Sequence, residues 1–338
     1  MELSAEQEAM REAVRQVARE EIDPVAEETD REARFPEDVW DTLADLDLTA
    51  VAVPEEYGGL DSDRLTAALV VEEIASASLA VSTALGVHWL ATSCIAEFGG
   101  SDQQSAWLPE MVDGRPVGAF ALSEPQAGSN PAEMTTTARR EGDEYVIDGE
   151  KMWITNGQRS GVVILFAKTD PDDRGSITQF LVPKDVDGLT VGDPEDKLGL
   201  RASDTTSLTF DGVRIPASNR LTEEGRGLSA ALSILNGGRV TVAAQAIGLS
   251  RAALAAAVDY ATEREQFDQP IGDFQAIRHE LAEMATTLRA ARLLTWDAAR
   301  RMDRGERARR AASMAKYFAT EGAVDVTNAA LQIHGGYG

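Results

Sequence analysis

The sequence predicts an α+β protein in three parts. A helical N-terminal domain spans residues 1–115, a central antiparallel β-barrel or sandwich spans 116–224, and an antiparallel helical bundle spans 225–338. Three observations carry this. Up to Met111, apolar residues recur every three or four positions. After Pro116, short β-branched runs alternate with Asp, Gly and Pro. From Gly225 the chain is Ala-rich and again helical in period.

Residues 3–22 read as a helix capped by Ser4, with Met10, Val14, Val17 and Ala18 on one face. Phe35-Pro36 opens a second helix with Val39, Leu43 and Leu46 on its inner side. Ser62 or Asp63 caps a helix that runs to about Ser78. Another covers Ala80 to Phe98, and a short one covers Gln103 to Met111. Strands are expected at 118–122, 135–138, 143–149, 162–168, 177–182, 189–191, 207–210 and 213–216. Long helices follow at 228–265, 273–303 and 306–332. Gly237, Gly238 and Gly248 lie inside the first of these, marking either a close backbone contact or simple tolerance of a helix-weakening residue.

The formal net charge of -25 argues against a general nucleic-acid or anionic-membrane binder. Lysine occurs only at 151, 168, 184, 197 and 316; the other basic residues are arginine. That balance fits a protein of a high-salt cytoplasm, and also an ordinary acidic bacterial one. Cys94 stands alone in an apolar run and reads as a buried small residue. His88, His279 and His334 show no metal-ligand spacing. The N-terminus has no signal-peptide pattern, and no charge-free apolar run of membrane-spanning length is expected. A cytoplasmic location follows as an expectation.

Two segments stand out. Ala121-Leu122-Ser123-Glu124-Pro125-Gln126-Ala127-Gly128-Ser129-Asn130 holds Pro, Gly and two hydroxyls, so it is a loop that offers N–H and hydroxyl groups to a ligand. Lys151-Met152-Trp153-Ile154-Thr155-Asn156-Gly157 is a strand end that runs into a turn. The two are expected to line one cofactor pocket.

These segments resemble the acyl-CoA dehydrogenase family, and the resemblance covers essentially the whole chain. It rests on Leu122–Asn130, on Trp153-Ile154-Thr155, and on Lys197-Leu198-Gly199-Leu200-Arg201-Ala202-Ser203-Asp204-Thr205. It also rests on Arg264-Glu265-Gln266-Phe267-Asp268-Gln269-Pro270-Ile271 with Gln275, and on Gln332-Ile333-His334-Gly335-Gly336-Tyr337-Gly338. Asn130 departs from the family's usual Asp; it keeps an acceptor oxygen, so a local capping role is expected to survive.

The resemblance implies FAD as cofactor and oxidation of an acyl-CoA thioester to the trans-2-enoyl-CoA, with electrons passed to electron-transferring flavoprotein. It implies that Phe120, Leu122, Ser123, Gly128 and Ser129 contact the flavin and its pyrophosphate. Trp153 would cover one flavin face, Ile154 would belong to the same cofactor-binding segment, and Thr155 would bond near N5. Arg264, Phe267, Gln275, Gln332, Gly335 and Gly336 would reach the adenosine half of a neighbouring subunit's FAD, which implies a homotetramer. Arg239, Asn236 and Ser129 would meet the acyl-CoA; many relatives carry Asp where this chain has Asn236. The runs Glu195-Asp196-Lys197-Leu198-Gly199 and Ala291-Arg292-Leu293-Leu294-Thr295-Trp296 resemble the short-chain, butyryl-CoA branch.

The family's catalytic glutamate is expected beyond Gly338. Its alternative place, just before an arginine, is here Gly238. No catalytic residue is therefore named within the chain. An acyl-CoA oxidase, a flavin monooxygenase relative and a non-catalytic FAD- or acyl-CoA-binding scaffold stay open as alternatives.

Overall fold

The computed structural model describes residues 2–338. By contacts the chain forms two compact units. One comprises Met1–Ala26, Asp63–Ser82 and Asn236–Gly338; the other comprises Glu27–Ser62 and Thr83–Leu235.

The second unit holds the sheet. Its helices are α3 (Glu37–Asp45), most of α5 (Leu79–Phe98) and α6 (Ser101–Val112). Its strands are β1 (Gly118–Ala121), β2 (Thr137–Glu141), β3 (Glu144–Thr155), β4 (Val162–Lys168), β5 (Ile177–Pro183), β6 (Leu189–Val191) and β7 (Thr205–Pro216). The order is β1-β4-β2-β3-β7-β6, with β5 also on β4. Most pairings are antiparallel, but β1 and β2 each pair with β4 in parallel.

Strand β4 explains the layering. Every residue of it is buried, and alternate side chains point to opposite faces. Val162, Ile164 and Phe166 join a core with Ala91, Cys94 and Ile95 of α5 and Leu108, Met111 and Val112 of α6. Val163, Leu165 and Ala167 join a second core with Tyr145 and Ile147 of β3 and Leu208, Phe210 and Val213 of β7. A strand buried on both faces reads as a continuous apolar run, and 162–167 is one.

Several expectations are corrected. The strand expected at 143–149 continues to Thr155, because Gly149 sits in a bulge rather than a turn. The runs at 207–210 and 213–216 are one strand, with Gly212 at positive φ between them. Leu46 is 46% exposed at the C-cap of α3 rather than on its inner side. The expectation that no charge-free apolar run reaches membrane-spanning length is not met. Residues 74–96 carry no Asp, Glu, Lys or Arg, and α5 and α7 (Gly227–Glu263) are long and apolar enough to cross a membrane. Most of the apolar window of α5 and half of that of α7 lie buried inside the protein.

The first unit packs α1 (Ala5–Val17) and α4 (Arg64–Ala77) with the later part of α7, α8 (Gln275–Asp303) and α9 (Arg309–His334). Between α7 and α8 lies a two-stranded hairpin of β8 (Glu265–Gln266) and β9 (Gln269–Pro270). Ser4 and Gln7 form a reciprocal capping box on α1, and Asp63 caps α4. Gly248 answers the question about interior glycines: a Cβ there would lie 2.4 Å from the Glu72 carbonyl oxygen, so α7 and α4 touch backbone to side-chain-free backbone.

Inside this unit Glu72 and Glu73 of α4 are buried beneath arginines. Glu73 meets Arg11 at 2.7 Å, Arg15 at 3.1 Å and Arg251 at 2.5 Å; Glu72 meets Arg292 at 2.7 Å. Burial pushes the Glu73 carboxyl up, but the hydrogen bonds of Arg251, Arg15 and Arg11 outweigh it and hold it at about 2.

Candidate active site

The structure brings the two singled-out segments together. The 121–130 loop leaves β1 and folds on itself: Glu124 and Ala127 exchange backbone hydrogen bonds of 3.1 and 3.0 Å. Met152 N–H donates to the Ser123 carbonyl at 3.0 Å, and Lys151 Nζ donates to the Leu122 carbonyl at 3.1 Å. Consecutive residues of β3 thus hold consecutive carbonyls of the loop.

Beneath the loop, Lys151 and Glu124 form a buried ion pair of 2.8 Å, both side chains at most 1% exposed. The Glu124 carboxylate also accepts from Thr135 N–H at 2.6 Å, Thr136 N–H at 3.1 Å, Thr135 Oγ1 at 3.0 Å and Gln126 Nε2 at 2.7 Å. Burial alone would push Glu124 up, but Lys151 and these donors hold it well below the usual carboxylate range. Burial pulls Lys151 down, and Glu124 offsets part of that. Both residues were quoted in the sequence segments, but neither was given a role there. The available signal was a lysine in a lysine-poor chain.

The residue after Met152 turns outward. Pairing between β3 and β7 slips between Lys151 and Ile154, and Trp153 takes φ 59° with half its surface exposed. A bulky residue at positive φ is strained and persists only where its surroundings dictate it. Ile154 is buried and Thr155 half-buried. Asn156, also at positive φ, sends Nδ2 to the carbonyls of Ala84 at 2.9 Å and Gly118 at 3.1 Å.

His88 fixes the other end of β1. Gly118 N–H donates to His88 Nδ1 at 3.1 Å, so Nε2 carries the proton and donates to the Met111 carbonyl at 3.1 Å. Burial pushes this imidazole down to about 4, so it is neutral. Phe120, two residues on, packs at a tilt against Phe166, ring centroids 4.9 Å apart. Next to the Asn156 turn, Arg159 lies 3.8 Å over the Phe35 ring and 4.3 Å over the Trp40 ring, and pairs with Glu37 at 2.7 Å.

The loop has room for a ligand. Gly128, Ser129 and Asn130 are exposed, and a Cβ on Gly128 would meet nothing within 4 Å. An open loop tip, on a loop whose start is tied to the strand that bears an outward-facing indole, suits a flat aromatic group with an anionic tail. The capping expectation for Asn130 fails. Its side chain makes no capping bond; Nδ2 donates instead to Glu133 Oε1 at 3.3 Å. Asp there would set two carboxylates together.

The remaining expected site residues lie in the first unit. Arg239 bonds to Asn236 within α7. Arg264, Phe267, Gln275, Gln332, Gly335 and Gly336 are all exposed. Phe267 and Asp268 form the hairpin tip at positive φ, and Phe267 is 87% exposed. One apolar cluster packs Tyr260 and Ala261 of α7, Ile277 of α8 and Ile333 of α9, which gathers these residues at one end of the bundle. Arg264 makes no salt bridge among the described residues.

Family models for the acyl-CoA dehydrogenase N-terminal, middle and C-terminal domains match residues 4–115, 119–213 and 225–338. The chain belongs to the acyl-CoA dehydrogenase family. It is 43% identical to an acyl-CoA dehydrogenase of Bacillus subtilis (strain 168), covering 100% of this chain and 90% of the relative. It is 40% identical to the mitochondrial short-chain specific acyl-CoA dehydrogenase of Bos taurus, covering 100% and 82%. Butyryl-CoA dehydrogenase from Megasphaera elsdenii superposes with a TM-score of 0.97 at 36% identity, covering 100% and 90%. A chain solved in work on the electron transferring flavoprotein of Acidaminococcus fermentans superposes with a TM-score of 0.98 at 37% identity, covering 100% and 89%. As a member of this family the chain is an enzyme and an FAD flavoprotein that acts on acyl-CoA.

Proposed function

We propose that this enzyme oxidises a short-chain acyl-CoA thioester to the trans-2-enoyl-CoA and passes the electrons to electron-transferring flavoprotein. FAD, when bound, would supply the hydride acceptor for this oxidation. The carrying observation is the junction of the two loop segments at Lys151, Glu124 and the Trp153 bulge. In this reading Phe120, Leu122, Ser123, Gly128 and Ser129 hold the flavin and pyrophosphate. Trp153 would cover one flavin face, Ile154 would support it from the same cofactor-binding segment, and Thr155 would donate near N5.

Arg239 supplies a cation for the CoA phosphates, oriented by Asn236, with Ser129 as a further substrate contact. The exposed Arg264, Phe267, Gln275, Gln332, Gly335 and Gly336 reach the adenosine of a neighbouring subunit's FAD in a homotetramer. The reading names no α-proton acceptor among residues 1–338. In this reading the chain divides into three domains at 115/116 and 224/225, and its location is cytoplasmic.

The test is FAD retention. Ser129→Ala combined with Thr155→Ala lowers FAD occupancy or shifts the flavin spectrum; unchanged retention and spectrum would move the flavin elsewhere. We also propose adaptation to high salt, from the net charge of -25 and the scarcity of lysine. Thermal stability then rises steadily as KCl is raised to molar levels, and a flat response contradicts it.

A further inference from the structure

The Glu124–Lys151 pair joins the buried side of the loop to β3 at 2.8 Å, and the function above gives Lys151 no role of its own toward the flavin. Buried ion pairs are seldom worth their desolvation cost as stability alone; apolar replacements of equal volume are often neutral or stabilising. This pair has a second connection. Lys151 Nζ reaches past Glu124 to the Leu122 carbonyl at 3.1 Å, and the thioether of Met134 lies 3.8 Å away. The next residue, Met152, holds the next carbonyl, Ser123, at 3.0 Å. The residue after that is Trp153, already turned outward at φ 59°.

A peptide whose carbonyl is drawn inward presents its N–H on the other side. Leu122 and Ser123 therefore have their carbonyls tied down at two successive points, while the strand that ties them turns its indole outward within one further residue. Glu124 keeps the ammonium in place, and is itself anchored by Thr135, Thr136 and Gln126.

We propose that Lys151 is a positioning residue for the flavin: clasped by Glu124, it fixes the Leu122 carbonyl and thereby sets the Leu122–Ser123 backbone and the Trp153 bulge in one register against FAD. The proposal rests on the placement of FAD against Leu122–Ser129 given above. Lys151 touches no reacting atom in this scheme; it acts through the loop.

Two variants test it. Lys151→Gln removes the reach to Leu122 and leaves Glu124 its four other hydrogen bonds. Glu124→Gln with Lys151→Met removes both charges and the Leu122 contact together. A third variant, Glu124→Gln alone, keeps an acceptor for Lys151 and so keeps Leu122 held. The readouts are apo-protein thermal unfolding, the FAD dissociation constant by flavin fluorescence, and the absorption spectrum of bound FAD. The expected result is at least tenfold weaker FAD binding and an altered flavin spectrum in the first two variants, with apo unfolding close to that of Glu124→Gln, which itself binds FAD within threefold of wild type.

Wild-type affinity and spectrum in either of the first two would overturn the proposal. So would failure of both to fold, since the pair would then support the fold rather than aim the loop. The Ser129→Ala, Thr155→Ala double variant separates the two readings. If it weakens FAD binding while the Lys151 variants do not, only the positioning role fails. If it has no effect, the placement of the flavin fails first.

Discussion

The side-chain amide of Asn156 donates to the carbonyl of Gly118 at 3.1 Å, tying the end of the Trp153–Thr155 bulge to the first residue of the strand that feeds the loop. Its second bond, to the Ala84 carbonyl of α5 at 2.9 Å, fixes that junction to the core. Gly118 is held from the other side by His88. The start of β1 and the end of the bulge are therefore fixed to one another and to α5.

Asn156→Ala leaves two buried carbonyls without this donor. The expected loss is about 1–3 kcal/mol, read by denaturant unfolding. Asn156→Asp is worse than Asn156→Ala at neutral pH, because it sets a carboxylate against two carbonyl oxygens. Equal stability of Asp and Asn variants would contradict the amide's role as donor.

Two glycines separate packing from ligand room. Gly248→Ala forces a methyl to within 2.4 Å of the Glu72 carbonyl oxygen, so α4 and α7 must part, at a cost of about 1–3 kcal/mol. Gly128→Ala meets no protein atom within 4 Å and leaves apo unfolding unchanged, while FAD binding weakens because the methyl intrudes on the cradle. Thermal unfolding with and without FAD checks both.

Acid dependence follows from Glu73. Its carboxyl is held at about 2 in the folded protein against an ordinary 4.5, so its contribution is full above 4.5 and is lost as pH falls toward 2. The size is about 3 kcal/mol, shared with the arginines it neutralises. Glu73→Gln is therefore less stable than wild type at neutral pH, and the gap narrows as pH drops from about 5 to about 3. A gap that stays constant over that range would contradict the assignment. Urea unfolding across the range measures it.

Much of the architecture was legible because it is local. Helix periods, the Ser4 and Asp63 caps and the apolar run at 162–167 each depend on neighbours in sequence. The loop at 122–130 was legible for the same reason: Pro125, Gly128 and the hydroxyls exclude regular structure wherever they occur together. What was missed depends on distant partners. The parallel pairing of β1 with β4 carries no local mark, and Gly149 reads alike as a turn or as a bulge.

The charged residues show the same division. Val70-Val71-Glu72-Glu73-Ile74 places two carboxylates inside an apolar stretch, which signals buried ion pairs, but their arginines lie up to 220 positions away. Lys151 and Glu124 were both in view, yet only the folded loop sets them 2.8 Å apart. Leu46 failed for a simpler reason: the helix ends before its periodicity does.

The central claim is that one flavin lies across the 122–129 loop and the 153–155 bulge. The most direct measurement is a structure of the protein with FAD bound. The isoalloxazine is expected against Trp153, with Thr155 at hydrogen-bond distance from the N5 edge and the pyrophosphate at Ser129. A flavin ring seated anywhere that leaves Trp153 and Thr155 uncontacted would contradict it.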